Sequence, residues 1–288
     1  MRIRKALIVY KKSSYEAHVF GEKDPVYLQL LRVGSAATRT SRGVHQEHRS
    51  TLEAVQEELR ALGVSFDLRQ RYYLKPIRGY DLVITIGGDG TFLETAHFLE
   101  EGVMMGVNSA PSESVGFFCR ANRSNFRRKI ISILKDQHPL LVLSRLKLSI
   151  PGQKKIPLVL NDILFANQNP ASTARYLLSA RRIREEQKSS GVWISPAAGS
   201  TAAIRSAGGR SLPIRSARFQ YRVREPYQPR GKRYRLRGGI LSPREKVTIF
   251  SMIDDAAVYI DGPHLVYPVK RGWTITIKRS HSPLKMVG

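Results

Sequence analysis

The sequence predicts an α/β fold in two parts, on three observations. Short apolar runs alternate with helix-period segments up to residue 138. One of those runs ends directly on two glycines. After residue 138 the segments become short, β-rich and separated by turn residues. The first pattern belongs to a parallel sheet with helices on its faces, a Rossmann-like α/β domain. The last belongs to a mostly antiparallel β domain.

In chain order, Ala6–Tyr10 is a short apolar run after a charged start and reads as a buried strand. Lys11–Val44 is mixed, rich in Ser, Arg and Gly, and reads as a mobile loop around a short helix. His45–Leu62 carries Leu52, Val55, Leu59 and Leu62 at helical spacing, and Gly63 stops it. Val64–Leu68 and Asp81–Ile86 read as strands, Thr91–Glu100 as a helix ended near Gly102, and Val103–Asn108 as a strand. Asn125–Leu134 reads as a helix.

Beyond it, Leu140–Ile150, Ile156–Ala166, Arg175–Arg182, Gly191–Ser195, Lys246–Ile253, Ala256–Ile260 and Gly272–Lys278 read as strands. The order of the basic stretch Arg210–Leu241 stays open. The expected domains are 1–138, an α/β domain, and 139–265, a β-rich domain. Residues 266–288 form a C-terminal segment that returns to the first domain.

The chain has 288 residues, 42% of them hydrophobic, enough for a buried core. Its formal charge is +25, from 48 Lys and Arg against 23 Asp and Glu. Such a field attracts phosphates of any kind. The basic residues are dispersed, with concentrations at Arg123–Lys129, Arg181–Arg184 and Arg230–Arg237, so specific nucleic-acid binding is a minor reading. One cysteine, Cys119, excludes an internal disulfide and a cysteine metal cluster. It lies in an apolar run and reads as a small core residue. No apolar run approaches the ~20 residues of a membrane span. The N-terminal run is too short for a signal peptide. The expected location is the cytoplasm.

Gly87-Gly88-Asp89-Gly90-Thr91 follows a buried strand and precedes a helix. In open parallel sheets ligands bind beyond the carboxyl ends of the strands. Glycines let backbone approach phosphate oxygens, and a helix N-terminus offers N–H groups to an anion. Asp89 is the odd residue, since a carboxylate repels phosphate. Accepting a proton from an attacking hydroxyl accounts for it. No Gly-Lys-Ser/Thr follows, so the loop is not a P-loop.

This loop resembles the signature shared by NAD kinases, diacylglycerol and sphingosine lipid kinases and, more distantly, phosphofructokinases. Three further segments resemble NAD kinases in particular. They are Gly106-Val107-Asn108-Ser109 with Ser114–Phe118; Leu160-Asn161-Asp162-Ile163; and the long run Ser189–Gly209. Tyr259-Ile260-Asp261-Gly262 is a weaker echo of the family's C-terminal Asp-Gly-Gln. The resemblance implies an NAD kinase/diacylglycerol kinase-like fold and phosphorylation of the adenosine 2′-hydroxyl of NAD or NADH.

It also implies roles. Asp89 is the general base. Gly87, Gly88, Gly90 and Thr91 hold the phosphates of ATP or polyphosphate, with Mg²⁺ or another divalent cation and no dedicated protein metal site. Asp89, Gly90, Asn161 and Asp162 contact the dinucleotide. Thr201, Ala202 and Ser206 shape the adenine pocket, Phe92 packs on the base, and Ser190 and Ala203 also belong to the dinucleotide site. Arg175 reaches the ligand from a neighbouring subunit of a homodimer or homotetramer, and Lys188 is a weaker candidate of that kind.

Several positions depart from the family pattern. Ser190 stands where many NAD kinases carry Asp, and Ala203 where they carry Tyr. Both, with Asn161-Asp162 and Arg224-Glu225-Pro226, resemble the NADH kinase branch. Losing a carboxylate near the nicotinamide removes a preference for its oxidised, cationic form. Pro196, Ala110 and Pro263 also depart. The competing readings are a lipid kinase of the same superfamily, which lacks the run up to Gly209, and a non-catalytic basic nucleic-acid-binding relative.

Overall fold

The computed structural model describes residues 3–33, 36–228, 231 and 233–288. The first two residues of the N-terminal run and part of the Arg230–Arg237 cluster lie outside the described residues. The chain divides into two compact units, 1–141 with 285–288, and 142–284. The division thus falls at 141/142, and only the last four residues return to the first unit.

In chain order the first unit holds β1 (Lys5–Tyr10), α1 (Ser14–Glu16), α2 (Pro25–Arg32), α3 (Ala36–Ala61), β2 (Ser65–Gln70) and β3 (Leu82–Gly87). It continues with α4 (Asp89–His97), β4 (Val103–Asn108), β5 (Ala121–Asn122), α5 (Phe126–Leu134) and β6 (Leu140–Leu143). The second unit holds β7 (Leu146–Ser149), β8 (Ile163–Asn167), β9 (Ala174–Ala180), β10 (Ile183–Ser189) and β11 (Gly191–Pro196). There follow α6 (Ala203–Ser206), β12 (Phe219–Arg224), β13 (Gly238–Leu241), β14 (Lys246–Ser251), β15 (Ala256–Ile260), β16 (Leu265–Val269) and β17 (Thr274–Arg279). β18 (Leu284–Val287) ends the chain.

The first unit is a seven-stranded sheet of order β2-β1-β3-β4-β18-β6, with β5 beside β4. β1, β2, β3 and β4 pair in parallel. Strand order reverses between β1 and β3, which is where open α/β sheets place their ligands. β3 and β4 are buried along their whole length, so both read as continuous apolar runs. Leu52, Val55 and Leu59 of α3 pack with Ile130 of α5 and the sheet residues Ile84 and Val107 in one core.

The region after β1 differs from the expected loop. α2 begins at Asp24-Pro25, where the Asp24 carboxylate accepts Val26 N–H at 2.9 Å and Pro25 occupies the first turn. That start signal is present in the sequence, within a segment of mixed composition. α3 likewise begins nine residues before His45, in a stretch where Thr40, Ser41 and Arg42 continue the helix without adding an apolar period.

The second unit consists of two antiparallel sheets, β10-β9-β14-β17-β7 and β13-β12-β11-β8-β15-β16. Their inner faces share one core, with Leu148, Tyr176, Leu178, Ile249 and Ile277 from the first sheet against Phe165, Ile194, Phe219 and Val258 from the second. The basic stretch 210–241 supplies β12 and β13, and β10 covers a charged segment that carries Arg184, Glu185, Glu186 and Lys188. Within Ile156–Ala166, strand is confined to the part from Ile163 onward.

Candidate active site

Each unit carries one group of the expected residues. In the first unit, β3 delivers Gly87 to the carboxyl edge of the sheet, and α4 starts two residues later with Asp89 in its first turn. A Cβ on Gly87 would overlap Thr91 Oγ1. Gly90 is different: it is exposed, and a Cβ there would meet nothing within 4 Å. Packing explains the glycine at position 87 and not the one at position 90.

The Asp89 carboxylate is fixed from below. Oδ2 accepts Phe117 N–H at 2.8 Å and Oδ1 accepts Phe118 N–H at 2.7 Å. These amides are placed by the turn after β4. There Asn108 Nδ2 donates to Ser114 O at 2.7 Å, and Asn108 Oδ1 accepts Ala110 N–H at 3.2 Å. The Gly106–Ser109 and Ser114–Phe118 segments therefore hold the Asp89 carboxylate in place, a contact not visible in the sequence. Ser109 also donates its N–H to Gly87 O at 3.2 Å. Its hydroxyl lies 2.8 Å from Nδ1 of buried His48, whose Nε2 lies 2.9 Å from Lys11 O. Burial pushes His48 down to about 4, so the ring is neutral and ties α3 to the ends of β1 and β4.

Two expected contacts are corrected. Phe92 is fully buried and stacks on Phe118, centroids 5.3 Å apart, so its ring fills the interior and is not open to a base. Thr91 is also buried, and its N–H donates to Gly88 O at 3.0 Å, so neither its side chain nor its amide is open to a ligand. Cys119 is partly exposed and donates to Gly87 O at 3.7 Å. Burial raises it to about 12, so it remains a protonated thiol.

In the second unit, Asn161 and Asp162 precede β8. Asn161 Nδ2 donates to Asp162 Oδ2 at 3.0 Å. Asp162 is buried, and burial followed by the neighbouring Asp261 charge raises it to about 7. The Asp261 carboxylate accepts the N–H groups of Leu160, Asn161 and Asp162 at 3.1, 2.7 and 2.9 Å. In the sequence Asp261 is only a faint echo, because its partners lie about a hundred residues away.

The long run Ser189–Gly209 splits in two. Gly191, Val192 and Ile194 to Ser200 are buried, with Ser195 Oγ donating to Asn161 O at 2.7 Å. Ser200 Oγ accepts Leu212 N–H at 2.9 Å. Thr201, Ala203 and Ser206 are exposed and Ala202 half-buried around the short α6. Ser190 is half-buried at the β10–β11 junction, its N–H bonded to Arg224 O at 3.1 Å. Arg175 is exposed on β9 and pairs in register with Lys188, whose ammonium sits 4.8 Å from the Tyr227 ring centre. Of the departures, Pro196 ends β11, Ala110 is buried and Pro263 is exposed in the β15–β16 turn.

Among the described residues no group of three or more His, Cys, Asp or Glu is placed to hold a metal ion. Nor is any helix long and apolar enough to cross a membrane.

No family model matches the sequence. The chain is 32% identical over 263 residues to a probable NADH kinase of Oryza sativa subsp. japonica, spanning 83% of this chain and 81% of that protein. It is 34% identical over 262 residues to the NADH kinase of Arabidopsis thaliana, spanning 80% of each. Among solved structures, an NAD kinase from Archaeoglobus fulgidus in complex with ATP superposes with a TM-score of 0.72 at 19% identity, covering 99% of this chain and 93% of that one. Yeast NADH kinase complexed with NADH gives 0.71 at 15% identity, covering 100% and 84%. The structural likeness carries the fold, and the sequence likeness over four-fifths of the plant proteins carries the family: the chain belongs to the NAD kinase family.

Proposed function

We propose that the protein transfers a phosphoryl group to the adenosine 2′-hydroxyl of NAD or NADH, giving NADP or NADPH. The observation that carries this reading is the Asp89 carboxylate, held by the amides of Phe117 and Phe118 at the start of α4, beyond the carboxyl end of β3. Each carboxylate oxygen keeps a lone pair after accepting one amide. Asp89 accepts the hydroxyl proton as the oxygen attacks the terminal phosphorus of the donor. The bond from that phosphorus to the leaving oxygen breaks, and with ATP the leaving product is ADP.

Gly87, Gly88 and Gly90 keep the backbone open to the donor phosphates, and the first-turn N–H groups of α4 stabilise their charge. The exposed Gly90, which packing does not require, supports that role. ATP is the donor proposed first, with polyphosphate the alternative. Mg²⁺ neutralises phosphate charge when bound. Such an ion would be carried on the donor phosphates, as Mg²⁺ commonly is, and Asp89 is the one carboxylate of Gly87–Thr91 that could face it. In the second unit, Asn161 and Asp162 hydrogen-bond the dinucleotide, while Thr201, Ala202, Ala203 and Ser206 border its adenine. Ser190 lies toward the nicotinamide, and its missing charge favours NADH. Arg175 serves the ligand from a neighbouring copy in a homodimer or homotetramer.

The test is direct. Purified protein is incubated with Mg²⁺, ATP or polyphosphate, and NAD or NADH in parallel, and NADP and NADPH are quantified. Formation of either product supports the reading, and its absence with every donor contradicts it.

A further inference from the structure

We infer that Asp261 is a positioning residue for dinucleotide recognition, acting through Asn161 and Asp162. This rests on the proposed function of those two residues.

Asp261 directly follows β15 with φ +48° and is followed by Gly262 at φ +117°. Asp tolerates this left-handed conformation better than most residues do. The turn faces the carboxylate toward three consecutive amides. Oδ1 takes Asn161 N–H at 2.7 Å and Asp162 N–H at 2.9 Å, while Oδ2 takes Leu160 N–H at 3.1 Å. Asp261 returns its own N–H to Asp162 O at 2.9 Å. Four hydrogen bonds thus join one aspartate to three residues, and those to the carboxylate are of the stronger, charge-assisted kind.

The other side of the segment is equally constrained. Asn161 O accepts Ser195 Oγ–H at 2.7 Å, and Gly199 packs where any side chain would overlap that oxygen. The Asn161 backbone is therefore held at its N–H by Asp261 and at its carbonyl by Ser195. Only the side chains of Asn161 and Asp162 remain to be set, and they are joined to each other at 3.0 Å. A recognition pair whose backbone is fixed on both sides is pre-organised, so binding does not carry the entropy cost of ordering it. Removing the carboxylate frees three amides and lets the pair relax.

The experiment uses the full chain with ATP and NADH. Asp261→Ala should raise the dinucleotide KM by about tenfold or more, as expected for losing charge-assisted hydrogen bonds. The ATP KM and the turnover at saturating dinucleotide should stay near wild type. Asp261→Asn keeps the Oδ1 acceptor and loses the Oδ2 one, so its KM should fall between the two. A general loss of structure would instead lower turnover through the folded fraction and leave KM unchanged. A dinucleotide KM equal to wild type in either variant overturns the inference, as does a fall in turnover with KM unchanged. If Asp261→Ala does not fold, the Asn variant decides alone. A wild-type protein that makes no NADP or NADPH defeats the proposed function and this inference together. An active wild type with unaltered variants defeats only the inference.

Discussion

Gly199 lies against Asn161 so closely that an ideal Cβ on the glycine would overlap the asparagine's carbonyl oxygen and approach its carbonyl carbon and Cα. The atoms in the way are backbone, so no side-chain rotation relieves them. Gly199→Ala should displace the Asn161 segment or the turn after β11. The expected outcome is a loss of several kcal/mol in stability, at the large end for overpacking, about 3. Thermal or urea unfolding of the variant measures it, and an unchanged midpoint contradicts the close approach.

Gly90 makes the opposite case. It lies in the first turn of α4, exposed, with open space where a Cβ would stand. Alanine is the better helix former by about 1 kcal/mol. Gly90→Ala should therefore fold at least as well as wild type. It should nevertheless raise the ATP KM, because the methyl group stands in the path of the phosphates. Equal ATP kinetics in a stable variant would remove the phosphate role from this loop.

Asp162 makes a pH-dependent contribution to stability. Burial, then Asp261, raises its folded value to about 7 from 3.8. Between those values the folded chain retains a proton that the unfolded chain has released, so stability falls as pH rises through this window. Asp162→Asn removes the titration. The difference in melting temperature, variant minus wild type, should grow from pH 4 toward pH 7 and then level off. A difference independent of pH contradicts the assignment.

Ser190 tests the choice of acceptor. It is half-buried and its backbone is anchored to Arg224 O. Ser190→Asp restores the carboxylate that many NAD kinases carry here. The ratio of kcat/KM for NAD over NADH should rise, by about an order of magnitude for one added charge near a cationic ring. An unchanged ratio would separate this position from acceptor preference.

What the sequence revealed follows physical lines. β3 and β4 were legible because both are buried from end to end and flanked by glycine or polar turns. The loop at Gly87–Thr91 was legible because strand, glycines and helix start are contiguous. β10 was hidden because it turns polar atoms inward: Gln187 and Ser189 are buried, and Tyr176 Oη lies 2.6 Å from Ser189 Oγ. No apolar alternation announces such a strand. Phe92 looked available to a base only because its stacking partner, Phe118, comes from 26 positions away. His48 and Asp261 were hidden for the same reason, since each works through hydrogen bonds to residues far along the chain. Sequence patterns expose local order and burial, and they conceal polar contacts that only folding brings together.

Asp89 bears the central claim. The most direct measurement compares wild type with Asp89→Asn, following NADP or NADPH formation by turnover and dinucleotide affinity by binding. The Asn side chain preserves shape and one acceptor oxygen but cannot take a proton. Turnover should fall by about 10²–10⁴-fold with dinucleotide affinity nearly unchanged. Near-normal turnover in the variant would contradict it.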